Sequence, residues 1–180
     1  EAVAYSLMWH PDPKLEETAD SAIDIIAKAQ QADGYLDTYY ILTDLSKRFT
    51  NVMDNHELYC LGHMVEAAVA YYNATGKRKF LDVAIRYVDC VNEHFGPEPG
   101  KLKGYPGHEE AELALVSLYS VTKDEKHLKL AEYFINERGQ EPHFFRLERE
   151  KYHNVYHWKD SYFQDKYYQA DMPVREQQKA

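Results

Sequence analysis

Cysteine is scarce: Cys60 and Cys90 are the only two, which argues against a disulfide framework, and each sits inside an apolar helical pattern where a small buried thiol is expected. The redox compartment stays open. Long hydrophobic runs are also missing. No stretch approaches the roughly 18 consecutive apolar residues of a membrane span, so no membrane partner is expected. Positive charge is in deficit, with 21 Lys and Arg against 30 Asp and Glu and a formal net charge of -9. Phosphate neutralisation needs clustered cations, so no nucleic-acid partner is expected. The chain shows no initiator methionine and no signal-like segment. It opens at Glu1 inside a helical pattern, both ends read as cut from a longer protein, and localisation is unknown.

Against these absences stands a hydrophobic content of 44% in 180 residues, enough for one domain with a sizeable core and too much for a disordered chain. The 16 Tyr and 9 His form a palette suited to stacking on polar ligands and hydrogen-bonding to them, although Tyr is also common in cores. A small, uncharged or modestly polar ligand is the natural partner.

Hydrophobic periodicity predicts an all-α chain of αα-hairpins. From His56 to Asn73 two adjacent apolar stripes leave little polar face, as in a buried helix, whereas from Lys79 to Glu93 the stripe of Leu81, Ala84, Val88 and Val91 opposes Asp82, Arg86, Asp89 and Glu93. The same pair recurs from Ala111 to Asn136. A shift of 47 residues lays Tyr72 on Tyr119, Thr75 on Thr122, Leu81 on Leu128 and Ala84 on Ala131. A partial earlier copy runs through AVAYSLM, a turn at HPDP, and Leu15 to Gln31.

Alternating buried and exposed helices build either an open solenoid or a closed toroid with inner and outer rings. Common solenoid repeats have short connections. Here Ala32 to Asn55 and Gly139 to Met172 exceed the roughly 12 to 15 residues above which an ordered loop usually has a function or structure of its own. The toroid is therefore expected, with the long aromatic loops gathered at one rim beside the N-termini of the inner helices. The chain supplies the tail of one inner helix, two complete ones, the start of another at Pro173, and three outer helices, about half of an (α/α)6 toroid. A half ring exposes the flanks of its inner helices, so a missing C-terminal half or a dimer partner is expected to cover them.

The rim carries the candidate residues. His56 follows Asn55, a good N-cap, which places it in the first turn of an inner helix, where the helix dipole disfavours imidazolium. His108, in GYPGHEEAELAL, holds the matching place on the next inner helix. Both can equally be helix-start residues bonded to loop carbonyls. His56, Cys60 and His63 fall at i, i+4 and i+7, a spacing a metal can use, but HELYC lacks the second histidine of HExxH, and three ligands without a fourth are weak. Cys60 is expected in the core and His63 in the interior or a groove. Glu57, Glu109, Glu110 and Glu112 sit near the same rim, where glycoside hydrolysis would need paired carboxylates, and where the helix dipole alone also favours acids. No acid/base pair stands out. KRKF after Gly76 and the run KDEK read as solvated turns, and Asn73-Ala74-Thr75 matches a glycosylation sequon at a helix end.

In order, AQQADGYLDTYY, NHELYCLGHMVEAAVAYYNATGKRKFLDVAIRY, GYPGHEEAELALVSLY and QADMPVREQ resemble the catalytic domain of glycoside hydrolase family 127, the bacterial β-L-arabinofuranosidases, over nearly the whole chain. The resemblance implies an α/α toroid and a sugar pocket lined by His56 and His108. Many members place a pocket histidine where this chain has Asp171, which makes Asp171 a third pocket candidate. It also implies retaining hydrolysis of a terminal furanoside by a glutamate acid/base and a cysteine nucleophile held in a zinc cluster, all beyond this chain, so residues 1–180 are expected to be a partial glycosidase catalytic domain with no catalytic residue and no zinc ligand of its own. The β-sandwich portions of the family are absent. The alternative is a helical-repeat module that docks a protein without catalysis. Further αα-hairpins with a Glu and a Cys-Cys pair in the continuing reading frame would favour the enzyme.

Overall fold

A computed structural model describes residues 1–153 and 166–177. Eight α-helices lie wholly within the described residues: α1 Ala2–Trp9, α2 Pro13–Ala29, α3 Thr38–Thr43, α4 Glu57–Thr75, α5 Lys79–His94, α6 Ala111–Thr122, α7 Glu125–Glu137 and α8 Phe144–Tyr152. Among the described residues β-pairing is limited to one isolated bridge, Phe95 with Leu102. No described helix is long and apolar enough to cross a membrane.

The helices form two layers. α4 is central to the inner layer and packs against α1 on one side and α6 on the other; α2, α5 and α7 lie behind, each against its preceding inner helix. Gly62 permits the close α4–α6 contact, because a Cβ there would lie 2.6 Å from Glu110 Cγ and 2.9 Å from the Glu110 carbonyl carbon. The core between the layers is a chain of edge-to-face rings: Tyr35 on Phe49 and Tyr87, Phe49 on Phe95, and Phe95 on Phe134.

Local chemistry explains the hairpin ends. In HPDP, Pro13 occupies the first helical position, and the Asp12 carboxylate accepts from the N–H groups of Lys14 and Leu15 at 3.0 and 3.1 Å. The internal repeat is visible in atomic detail. α4 and α6 both end in a left-handed residue, Gly76 at φ 72° and Lys123 at φ 58°, whose N–H groups bond Tyr72 O and Tyr119 O. The hydroxyls of Thr75 and Thr122 likewise each donate to the carbonyl four residues back.

Two expectations change. Residues Val174–Glu176 form a single 3-10 turn rather than the start of an inner helix. Gln177 leaves the helical region, and its side-chain amide turns back to the Gln169 and Met172 carbonyls. Cys60 is exposed, not in the core. α1, α6 and α5 pack against α4, and Cys60 and His63, three residues apart, share its remaining exposed side. That open side of the inner layer is apolar in its flanking helices, with Val3, Met8 and Trp9 of α1 and Leu113 and Val116 of α6 exposed.

Candidate functional site

At the N-terminal end of α4 and α6 the two rim histidines meet. The rings of His56 and His108 stack with centroids 5.2 Å apart and an interplanar angle of 27°. Tyr59, one turn into α4, stands against both, at 5.7 Å from His56 and 5.3 Å from His108, and touches His63 at 4.5 Å. Tyr167 and Tyr168, arriving from the second long loop, close the other side of His108 at 5.8 and 5.0 Å. The result is a ring-walled, partly open corner built from three distant segments.

His56 reaches this corner by an unexpected backbone. It is itself the N-cap of α4, at φ 60°, a left-handed conformation uncommon for residues with a side chain but one that histidine, like asparagine and aspartate, adopts more readily than most. Asn55 lies one residue outside the cap, and its side chain is engaged elsewhere: the amide nitrogen donates to the Tyr40 hydroxyl at 2.9 Å and the amide oxygen accepts from the Asn51 side chain at 3.4 Å. His108 lies in the turn before α6. Burial, its neighbour His56 and Arg138 hold its pKa below the usual imidazole value, against the opposing pull of Glu109. Near neutral pH it is therefore a neutral ring with one donor and one acceptor nitrogen.

The loops that present these rings are pinned by buried charges. Arg138, at the C-terminus of outer helix α7 and 2% exposed, donates to the carbonyls of Pro106, Gly107 and Tyr168 at 2.8, 3.2 and 2.8 Å. Its guanidinium also pairs with Glu112 at 3.1 Å and Glu109 at 3.5 Å, and lies over the Tyr105 ring. Glu57 is fully buried and accepts from the Tyr35 hydroxyl at 2.5 Å and from the Phe49 N–H. Glu148 of α8 accepts from the Val52 N–H at 2.8 Å. Gly107 then abuts this first loop, since a Cβ there would lie 2.6 Å from the Met53 carbonyl oxygen.

Two of the rim acids are thus braces: Glu57 and Glu112 are buried, Glu57 holding Tyr35 and Phe49 and Glu112 holding Arg138 through one carboxylate oxygen. Glu109 keeps partial exposure, and Glu110 lies 3.3 Å from His63 Nδ1. Burial pushes the Glu57 carboxyl up to about 8 from 4.5, outweighing the donors that pull it down. A folded value above the unfolded one means the native state holds the extra proton between these limits. Its contribution to stability is full below pH 4.5 and is lost as pH rises toward 8. We expect Glu57→Gln to remove that component, flattening the Tm profile between pH 5 and about 8, where the parent loses up to roughly 1.4 kcal/mol per pH unit from this group. Parallel profiles for the two proteins would contradict it.

Asp171 is exposed, and among the described residues no hydrogen bond or ion pair joins it to either histidine. Zinc chemistry finds no cysteine-containing ligand set here. His56, Cys60 and His63 do not converge, Cys90 is buried apart from them, and the described side chains that do cluster at metal-ligand distance are Glu1, His63 and Glu66, within 4.8 Å. The residues present do not fit a thiolate zinc site.

Sequence reasoning missed Tyr59, Tyr167, Tyr168, Arg138 and Glu148. Tyr59 had a signal, three residues from His56 on the same helical face. Tyr167 and Tyr168 fall in the Gly139–Met172 aromatic loop, which was expected at the rim without either residue being singled out, whereas Arg138 and Glu148 act across more than 25 residues of chain and no local pattern points to them.

The chain matches, over residues 1–180, the family model described as "Beta-L-arabinofuranosidase, GH127 catalytic domain". It is 44% identical to a non-reducing end β-L-arabinofuranosidase of Bifidobacterium longum over 187 aligned positions, covering all of this chain and 28% of that protein. Among solved structures it superposes on a GH127 β-L-arabinofuranosidase from Geobacillus stearothermophilus T6 with TM-score 0.93 and 51% identity, over 98% of this chain and 28% of that one. A GH127 β-arabinofuranosidase, BT3674, follows at TM-score 0.79 and 42% identity, with 97% and 26% covered. The chain therefore spans a little over a quarter of the length of these relatives, and the inner and outer layers match part of a helical toroid.

Proposed function

The chain belongs to the GH127 family of β-L-arabinofuranosidase catalytic domains, and we propose that it forms the sugar-binding wall of a glycosidase that removes a non-reducing terminal β-L-arabinofuranosyl unit. The stacked His56–His108 pair carries this reading. A neutral imidazole offers a donor and an acceptor to neighbouring hydroxyls, and the Tyr59 and Tyr168 rings supply apolar walls, the combination a furanose requires. We place Asp171 at the pocket's outer edge as a further hydroxyl partner.

These residues bind and orient the sugar. The glutamate proton donor and the zinc-held cysteine nucleophile implied by the family resemblance belong, in this reading, to the portion outside residues 1–180. That portion, or a second copy, would also cover Val3, Met8, Trp9, Leu113 and Val116. The same apolar flank is what supports the competing reading of a protein-docking helical module.

The test is release of a chromophore from an aryl β-L-arabinofuranoside. The whole protein is expected to turn it over and residues 1–180 alone are not. Chelator-insensitive release by the 180-residue chain would overturn the division of labour, and a whole protein inert on furanosides would favour the docking module.

A further inference from the structure

One turn deeper in α4 than Tyr59, the His63 ring packs edge-on against the Tyr59 ring, with centroids 4.5 Å apart and an interplanar angle of 84°. The same imidazole reaches α6, where Nδ1 lies 3.3 Å from Glu110 Oε1. Tyr59 in turn stands against His56 and His108. His63 is thus one ring away from both rim histidines.

Glu110 supplies the link on the other helix. It is the N-cap of α6; its N–H donates to the His108 carbonyl at 3.0 Å, and its own carbonyl accepts from the Ala114 N–H at 3.1 Å. The His108 turn and the first turn of α6 are therefore joined through this residue. Its side chain fills the close approach that Gly62 permits between α4 and α6. Among the described residues Oε1 is a buried atom without a hydrogen-bond donor, and the ion pair that reaches it is the one with His63. A buried carboxylate oxygen in that position costs free energy unless a cation stands against it.

The other groups that crowd this point are acids. Glu1 and Glu66 bring their carboxylates within 4.8 Å of a His63 ring nitrogen. Burial, then the charges of Glu110 and Glu1, raise the Glu66 pKa, and His63 opposes them. His63 is the group that offsets like charge between the two inner helices.

Resting on the function proposed above, we infer that His63 and Glu110 are a positioning pair, which locks the His108 turn to the Tyr59 face of α4 and so sets the spacing of the sugar pocket's two walls. They act through Tyr59 and His108, not on the sugar. A wall displaced by about 1 Å is enough to cost on the order of a hundredfold in rate.

The test uses the whole protein and an aryl β-L-arabinofuranoside. His63→Phe keeps a ring against Tyr59 and cuts the link to Glu110; Glu110→Gln cuts the same link from the other side and removes a buried charge. Each is expected to lower kcat about tenfold, with KM changed far less, because the sugar is still bound but held off its reactive position. The double variant should lose no more than the worse single one. His63→Asn, whose amide can donate to Glu110, should stand above His63→Ala. Losses that multiply in the double variant, or a lowered Tm with kcat unchanged in both single variants, would overturn the lock and leave an ordinary packing contact. A parent inert on furanosides defeats the functional reading instead. The lock is then judged by the His108 ring resonances of protein labelled with 13C-histidine: displaced in both His63→Phe and Glu110→Gln they support it, and coincident with the parent they overturn it.

Discussion

Replacing Arg138 by alanine should be among the most damaging single changes in the chain, costing about 3 to 5 kcal/mol of stability. The guanidinium is nearly inaccessible, and three backbone carbonyls and the Glu112 carboxylate all depend on it. Its removal leaves Glu112 as a buried carboxylate with no cation. Burial already raises the Glu112 pKa, and Arg138 is the main opposing influence. Thermal unfolding of the whole protein should shift to lower temperature by several degrees, the shift per kcal/mol shrinking as the cooperative unit grows. A paired change separates the charge from the scaffold. Arg138→Ala with Glu112→Gln should recover part of the loss, because the stranded charge is gone, but not the part due to the freed carbonyls. Arg138→Lys should be only a partial substitute, since a point charge cannot reach Pro106, Gly107 and Tyr168 together. A Tm within 2 °C of the parent for Arg138→Ala would show that the GYPGH loop is held by something else.

The hairpin layers were legible because burial alternates helix by helix, and that alternation is written as local periodicity. The repeat was legible for the same reason: Thr75 and Thr122 do the same local job in the same place in each copy. The histidine pair was legible as two equivalent helix starts, although their direct stacking was not, because it depends on how α4 and α6 approach across Gly62. Cys60 misled because apolar periodicity marks a helix as internal without saying which side meets the centre of an incomplete ring. Glu57 misled for a related reason. An acid in a first helical turn is ordinary, and only the Phe49 backbone returning over it shows that it is a sealed brace. Arg138 left no trace, since a cation at a helix C-terminus is common and its partners come from two distant loops and the first turn of α6.

The second large effect concerns the histidines themselves. His108→Ala in the whole protein should lower kcat/KM on β-L-arabinofuranosides by about a hundredfold or more, with Tm little changed, because the ring is a half-buried wall residue and not a brace. His56→Ala should act alike. The double variant should lose far less than the product of the two, since the stacked rings position one ligand as a unit. The amide of His108→Gln keeps an N–H donor and a carbonyl acceptor and should recover part of the activity. The pH profile gives an independent check. With its pKa already depressed, His108 is neutral at pH 7 and gains a proton only as pH falls, losing the acceptor nitrogen that a sugar hydroxyl uses. The parent should therefore lose kcat/KM on the acid side through a group titrating below 6.5, and His108→Gln should lack that limb. Full activity in His108→Ala, or an acid limb that survives in His108→Gln, would remove the histidine pair from the sugar pocket and leave it as a packing contact between two helix starts.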